Sequence, residues 1–233
     1  INHVLDARID IQMSRTHNRP VAQGRLTDFQ ALTFAFFLCA ASMLMLWFII
    51  NSLTAILTFT SLIGYAVIYT VFQKRATPQN IVIGGAAGAA PPVLGWTAVT
   101  GEIHSNALLL FLIIFMWTPP HFWALAIAKL EDYERAGIPM LPVTHGEDFT
   151  RQQVLLYTIL LVVVTVVPYL TGMSGLIYLV TALILGGRFL YWAIRMRRDP
   201  DREIPMRVFR FSITYLMLLF AALLIDHYFI FSL

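Results

Sequence analysis

The sequence predicts an all-α polytopic membrane protein, a helical bundle with seven transmembrane helices, and three observations support this. Hydrophobic residues make up 58% of the 233 residues and charged residues only 12%, whereas a soluble domain carries about a quarter charged residues. The apolar residues form seven long runs, each close to the roughly 20 residues that a transmembrane helix needs. Lys and Arg occur in alternate connections between these runs, which is the pattern that the positive-inside rule predicts for successive spans.

The seven runs lie, in chain order, at residues 29–50, 53–72, 81–98, 105–127, 153–171, 174–194 and 208–230. Each is predicted to be helical because an open strand in lipid would leave backbone groups without hydrogen bonds. The runs contain no short alternating segments, which argues against an outer-membrane barrel. The single cysteine, Cys39, lies inside the first run, so the sequence offers neither a disulfide framework nor a cysteine-based metal site.

The 16 Lys and Arg residues predict the orientation of the helices. They fall in four segments, at 8–25, 74–75, 129–151 and 195–210, with Arg188 inside the sixth run as the exception. The connections on the other side carry none. Because basic residues mark cytoplasmic loops, the N-terminal segment and the 129–151 segment are predicted to share the cytoplasmic side.

The N-terminal segment, INHVLDARIDIQMSRTHNRP, carries the first candidate site. Asn2, Asp6 and Asp10 are spaced four residues apart, which on a helix places their side chains on one ridge about 5–6 Å apart. Carboxylate and amide oxygens suit Mg²⁺, which often binds together with phosphate. With Arg15 and Arg19 following, the pattern favours a metal-bridged diphosphate site, and the alternative is a solvated polar face at a helix end.

The second candidate lies in residues 117–142, WTPPHFWALAIAKLEDYERAGIPMLP. His121, Leu125, Ala128 and Asp132 fall at helical spacing, so an unbroken helix would carry an imidazole about 16 Å deeper in the membrane than the carboxylate. Ionisable groups within a span are usually functional. The alternative for His121 is a structural histidine that hydrogen-bonds to a neighbouring helix.

The third candidate lies in residues 69–80, YTVFQKRATPQN, just before a Gly- and Ala-rich run. Lys74 and Arg75 are predicted to lie on the same membrane side as the acidic ridge, where they would be able to bind phosphate. The alternative is that both are ordinary positive-inside residues. The glycines of the following run indicate close helix packing.

In order along nearly the whole chain, these motifs resemble the UbiA superfamily of intramembrane prenyltransferases, and within it the haem-modifying branch. The motifs are N-x3-D-x3-D-x4-R-T-x2-R-P at 2–20, K-R-x-T-P-Q-N at 74–80, T-P-P-H-F-W at 118–123 and D-Y-x-x-A-G-I-P-M-L-P at 132–142. The chain departs from the superfamily pattern at one place. The second motif there is usually D-x-x-x-D, whereas here Ala128 precedes Asp132.

The resemblance implies transfer of farnesyl from farnesyl diphosphate to a vinyl group of haem b (protoheme IX), with water addition, to give haem O. It implies Mg²⁺ as cofactor, with Asn2, Asp6, Asp10 and Asp132 as metal-binding residues, of which the three aspartates are catalytic. The diphosphate would contact Lys74, Arg75, Arg15, Arg19 and Lys129. His121 would ligate or orient the haem iron, and the cavity would be lined by Tyr69, Phe122 and Trp123.

The superfamily has nine spans, so the resemblance also implies that residues 1–233 form a single transmembrane prenyltransferase domain lacking its first two helices. The expected location is a bacterial-type cytoplasmic membrane, with the Asp motifs facing the cytoplasm. The expected partners are the lipid bilayer, farnesyl diphosphate and haem b, with a downstream haem A synthase or terminal-oxidase assembly proteins as further candidates and no nucleic acid.

Three other functions remain open from the sequence. The first is a prenyltransferase of the same superfamily acting on an aromatic or quinone precursor. The second is a membrane transporter with Asp6 and Asp132 as coupling sites, although transporters usually bind near the bilayer midplane between internal repeats. The third is a haem-binding assembly factor that does not consume the diphosphate.

Overall fold

The computed structural model describes residues 2–11, 16–66 and 77–229, and every regular element in these ranges is helical. The helices are α1 (Asn2–Leu5), α2 (Ala7–Asp10), α3 (Asp28–Met45), a π-helical turn (Leu46–Ile50), α4 (Ser52–Ile63), α5 (Asn80–Ala89), α6 (Pro91–Thr100), α7 (Ser105–Ala128), α8 (Leu130–Arg135), α9 (Leu141–Leu170), α10 (Leu176–Arg198) and α11 (Ile204–Phe229). The predicted all-α fold class is confirmed.

Six of the seven predicted runs coincide with helices that are long and apolar enough to cross a membrane. These are Asp28–Ile50, Asn80–Thr100, Ser105–Ala128, Leu141–Leu170, Leu176–Arg198 and Ile204–Phe229. The run at 53–72 begins as the shorter apolar helix Ser52–Ala66, and its remainder lies outside the described residues. The chain is therefore an integral, multi-pass membrane protein.

The chain divides into two compact units, of which the first comprises Ile1–His104 and Leu130–Met140. Within it a polar cluster joins α4 to α6. Asn51 caps α4 by accepting a hydrogen bond from the Thr54 backbone N–H at 2.8 Å, and its side-chain amide donates to the Thr97 carbonyl at 2.8 Å. The hydroxyls of Thr54 and Thr97 are 3.0 Å apart. These contacts satisfy the polar side chains at the adjoining ends of α4 and α6.

The second unit comprises Ser105–Lys129 and Leu141–Leu233 and is built on four long helices. Each of α7, α9, α10 and α11 packs against two of the others, so that the four close into a bundle. Its fully buried side chains include Trp123, Leu161, Tyr178, Phe189 and Tyr215. The 153–171 run forms the later part of α9, after a kink at Gly146, whose φ of 82° favours glycine.

The helical spacing of His121 and Asp132 gives a difference in depth only if one unbroken helix carries both residues. In the structure α7 ends at Ala128, and Lys129 lies in a turn before α8 begins at Leu130. Four-residue spacing is compatible with a helix, but it does not fix where that helix ends. The 16 Å depth difference between His121 and Asp132 depended on an unbroken helix and no longer holds.

Asp226, near the end of α11, caps the start of α10. Its carboxylate is buried, at 1% exposure, and accepts hydrogen bonds from the backbone N–H groups of Gly175 and Tyr178. The N-terminal N–H groups of a helix have no partner within the helix. A Cβ at position 175 would lie 3.2 Å from the carboxylate, so the close approach depends on glycine.

We expect Asp226→Ala to destabilise the protein by about 2–6 kcal/mol, because two N–H groups would lose their acceptor at about 1–3 kcal/mol each. Asp226→Asn keeps one acceptor oxygen and should lose less. Unfolding midpoints in detergent, followed by tryptophan fluorescence, measure the effect. His227→Ala, at the exposed neighbouring position, is the matched control. Equal midpoints for Asp226→Ala and this control would contradict the capping role.

Candidate functional site

The acidic ridge forms as the sequence predicts. The Asp6 N–H donates to the Asn2 carbonyl at 2.9 Å, and the Asp10 N–H donates to the Asp6 carbonyl at 2.8 Å. These are helical i to i−4 bonds, so the three residues lie one turn apart, with a turn at Asp6 separating α1 from α2. Asp6 and Asp10 are only 4% and 3% exposed. Because both aspartates are buried, the alternative of a solvated polar face does not describe them.

Asp10 is paired with Arg19. The Arg19 Nη1 lies 3.0 Å from Asp10 Oδ1 and 2.9 Å from Oδ2, so one nitrogen contacts both carboxylate oxygens. The Thr16 hydroxyl donates to the Asp10 backbone carbonyl at 3.2 Å, which fixes the segment that carries the arginine. A buried carboxylate needs such a partner because desolvation of an unpaired charge is costly. Thus the structure brings together Asp10 and Arg19, two residues that the sequence assigned to one site.

The described residues contain no group of three or more His, Cys, Asp and Glu side chains able to hold a metal ion. Asp132 is half-buried on α8 and belongs to the same unit as Asp6 and Asp10. Mg²⁺ is commonly held by only one or two carboxylates, with substrate phosphates completing the shell. Two buried aspartates one turn apart fit that requirement without a third. The assignments of Asn2 and Asp132 to the metal stay predictions.

Several predicted site residues lie outside the described residues: Arg15, Tyr69, Lys74 and Arg75. Of the remaining predicted cations, Arg19 is half-buried and paired with Asp10, whereas Lys129 is exposed. The diphosphate assignments therefore stay predictions, with Arg19 the cation that the structure shows beside a predicted metal ligand.

His121 is buried on α7, at 7% exposure, and is enclosed by aromatic rings. Trp117 stacks on it at a centroid distance of 4.2 Å and Phe209 at 4.6 Å, while Phe122 approaches edge-on at 4.8 Å. Its Nδ1 lies 2.7 Å from the Ser212 hydroxyl on α11. The predicted hydrogen bond to a neighbouring helix is therefore present. That bond involves Nδ1, so Nε2 is the nitrogen that could bind a ligand.

The two aromatic residues after His121 differ in their surroundings. Phe122 is 38% exposed, whereas Trp123 is 1% exposed and packs edge-on against Tyr157 at 5.3 Å. The indole N–H of Trp123 makes no hydrogen bond with any residue in the described ranges. Both remain predicted lining residues.

Sequence reasoning missed Ser212 and Phe209, which complete the surroundings of His121. Both lie on α11 in the run FRFSITYLML, where a serine among apolar residues is too common in transmembrane helices to indicate a particular contact. Trp117, one turn before His121, was the available signal, since residues four apart on a helix are neighbours.

The chain is similar in sequence to a family of known proteins. A sequence profile described as the UbiA prenyltransferase family matches residues 1–225. A protein of Alcanivorax borkumensis named protoheme IX farnesyltransferase is 62% identical over 98% of this chain and 75% of its own length. Proteins with the same name from Hahella chejuensis and Methylococcus capsulatus are 59% and 60% identical, each over 98% of this chain and 76% of their own length.

Solved structures share the fold. A structure described as concerning digeranylgeranylglyceryl phosphate synthase aligns with a TM-score of 0.80, over 97% of this chain and 78% of that one, at 20% identity. A UbiA homologue from Archaeoglobus fulgidus, bound to DMAPP and Mg²⁺, aligns with a TM-score of 0.65, over 95% of this chain and 81% of that one, at 14% identity. At these identities the likeness concerns the fold alone.

We expect Arg19→Ala to lower the unfolding midpoint and to strengthen the stabilisation by Mg²⁺. The substitution leaves the buried Asp10 carboxylate without its cation. Because Asp10 is a predicted Mg²⁺ ligand, the substitution would also remove a group that competes with Mg²⁺ for the same oxygens. Thermal unfolding in detergent, with and without MgCl₂, measures both effects. Arg25→Ala, at an exposed position of the same segment, is the matched control.

If added Mg²⁺ raised the midpoints of the wild-type protein and of Arg19→Ala equally, Arg19 and the cation would not share Asp10.

Proposed function

Because the chain belongs to the UbiA prenyltransferase family, we propose that it transfers the farnesyl group of farnesyl diphosphate to a vinyl group of haem b, with addition of water, to give haem O. The observation that carries this proposal is the 62% identity to a protein named protoheme IX farnesyltransferase, over 98% of this chain. The acidic ridge supplies the residues for the diphosphate half of the reaction. The His121 cluster supplies a residue for the haem half.

The reaction begins with loss of diphosphate from an allylic carbon. The carbon–oxygen bond breaks, the terminal vinyl carbon bonds to the farnesyl carbon, and the cation left on the inner vinyl carbon takes up water and loses a proton. Negative charge develops on the departing diphosphate, and fixed positive charge there stabilises the transition state. Catalysis at this end is therefore a matter of holding cations beside the leaving group.

Asp6 and Asp10, with Asn2 beside them, are the proposed ligands of Mg²⁺. Bound Mg²⁺ would act as a Lewis acid on the diphosphate oxygens. The support from this chain is the burial of both aspartates and their spacing of one helical turn. Support from the fold family is that the Archaeoglobus homologue holds Mg²⁺ together with DMAPP. Asp132 is the proposed second contact.

Arg19 is the proposed link between the metal site and the diphosphate. Its side chain is 32% exposed, whereas that of its partner Asp10 is 5% exposed. A guanidinium carries five N–H donors, of which those on Nη1 contact Asp10, leaving others for phosphate oxygens. Lys74, Arg75, Arg15 and Lys129 are the further proposed diphosphate contacts.

His121 is the proposed contact of the haem iron. Neutral imidazole is a common iron ligand, and the aromatic rings around His121 make an apolar surface suited to a porphyrin face. Phe122, Trp123 and Tyr69 are the proposed lining that excludes water from the allylic cation until the carbon–carbon bond has formed. The proposed location is a bacterial-type cytoplasmic membrane, with the acidic ridge on the cytoplasmic side.

We expect Asp6→Ala to abolish turnover while leaving a folded protein in detergent. The substitution would remove a proposed oxygen ligand of Mg²⁺, and without the metal the departing diphosphate would be less stabilised. The assay contains purified protein, haem b, farnesyl diphosphate and Mg²⁺, with mass spectrometry of the haem product. Asp28→Ala, at an exposed aspartate in the first turn of α3, is the matched control.

Wild-type haem O production by Asp6→Ala would refute the metal assignment. Product from an aromatic or quinone precursor, and none from haem b, would favour the related prenyltransferase. Haem binding without any farnesylated product from the wild-type protein would favour an assembly factor.

We expect His121→Ala to weaken haem b binding, because the iron would lose its proposed nitrogen ligand. A spectral titration in detergent, which follows the Soret band as haem is added, measures the dissociation constant and the band position. His104→Ala, in the first unit, is the control histidine. An unchanged Soret shift in His121→Ala would remove His121 as a ligand.

A further inference from the structure

The contact between His121 and Ser212 defines the protonation of a buried imidazole. Ser212 on α11 is fully buried, and its Oγ lies 2.7 Å from Nδ1 of His121 on α7. The two residues are 91 positions apart in the chain and both belong to the second unit. A hydroxyl can donate to an imidazole nitrogen or accept from it. The direction of this bond decides which ring nitrogen carries the proton.

The hydroxyl proton of Ser212 is donated to a backbone carbonyl. Ser212 Oγ also lies 2.7 Å from the backbone carbonyl oxygen of Phe209. A carbonyl oxygen can only accept, so the short contact between these two oxygens requires the hydroxyl hydrogen to lie between them. Ser212 must then accept from Nδ1–H of His121. A neutral imidazole with a proton on Nδ1 has none on Nε2, whose lone pair remains available.

The surrounding rings keep the imidazole in this orientation. Trp117 and Phe209 cover its faces at interplanar angles of 20° and 30°. The Trp117 indole N–H donates to the Ser212 backbone carbonyl at 2.8 Å, which ties the stacking ring to the residue that accepts from His121. A half-turn of the imidazole would place a ring carbon against Ser212 Oγ and lose the hydrogen bond.

We propose that Ser212 is a positioning residue that holds His121 as the Nδ1–H tautomer and so presents the Nε2 lone pair to the iron of the haem substrate. This inference rests on the proposed function, since it takes haem b as the substrate. An acceptor on the far nitrogen fixes the orientation of a metal-binding histidine and raises its basicity as a ligand. In this role Ser212 acts through His121 rather than on the haem.

Resonance Raman spectroscopy of the ferrous haem b complex, without farnesyl diphosphate, tests the inference. The iron–histidine stretching frequency rises when the far nitrogen donates a stronger hydrogen bond, because the ring becomes a better ligand. We expect Ser212→Ala to shift the band to lower frequency and to weaken haem binding about fivefold, the effect of one neutral hydrogen bond. Ser212→Thr, which restores a hydroxyl, should return the band toward the wild-type position.

Thr158→Val is the matched control for loss of a buried hydroxyl. Thr158 lies on α9 in the same bundle, is fully buried, and donates at 2.7 Å to the Val154 carbonyl of its own helix. Its replacement should leave the iron–histidine band unchanged. A band that moves equally in Ser212→Ala and Thr158→Val would indicate a packing effect and overturn the inference.

The inference is also overturned if wild-type protein shows no iron–histidine band, or if Ser212→Ala has the wild-type frequency. Haem O production by the wild-type protein is measured separately, so the two proposals can fail independently. A band that depends on Ser212 in a protein that makes no farnesylated haem would support the role of Ser212 in presenting His121 to bound haem, and would reject haem b as the farnesyl acceptor. Farnesylated haem from a protein that shows no iron–histidine band would support the proposed function and overturn the inference about Ser212.

Discussion

Lipid offers no hydrogen-bond partners to the polar groups of membrane helices, so such groups have to be satisfied within the protein. Thr54 and Thr97 satisfy each other in the first unit, and in the second Asp226 accepts from the first N–H groups of α10. Each contact joins two helices, and the Thr97 hydroxyl also donates to the Leu94 carbonyl of its own helix. The packing of the helices and the hydrogen bonding of their polar groups therefore depend on each other.

Two buried ionisable groups stand at the centre of the proposed chemistry. Asp10 is a buried carboxylate paired with Arg19, and His121 is a buried imidazole whose Nδ1 lies beside the Ser212 hydroxyl. In the proposed function, Asp10 binds Mg²⁺ beside the diphosphate and His121 contacts the haem iron. The membership of this chain in the UbiA prenyltransferase family is the context in which these two roles are proposed.

In the proposed mechanism no side chain of the protein forms a covalent bond to either substrate. An allylic diphosphate ionises readily once its leaving group is neutralised, so the protein has to hold cations at one end, hold the acceptor at the other, and keep water away from the cation in between. Such a reaction depends on position more than on strong acids or bases. The burial of Asp6 and Asp10 and the aromatic enclosure of His121 are features that fix position.

The sequence by itself determined the fold class, the places of six membrane helices and the ridge of Asn2, Asp6 and Asp10, because hydropathy and four-residue spacing are local properties of the chain. It also carried the family motifs. It could not show that α7 ends at Ala128 or that Arg19 contacts Asp10, since a helix end and an ion pair depend on the surroundings of the residue. The tertiary structure alone brought Ser212 to His121 across 91 residues. This contact, together with the hydrogen bond from Ser212 to the Phe209 carbonyl, is the basis for assigning the proton to Nδ1 and the lone pair to Nε2.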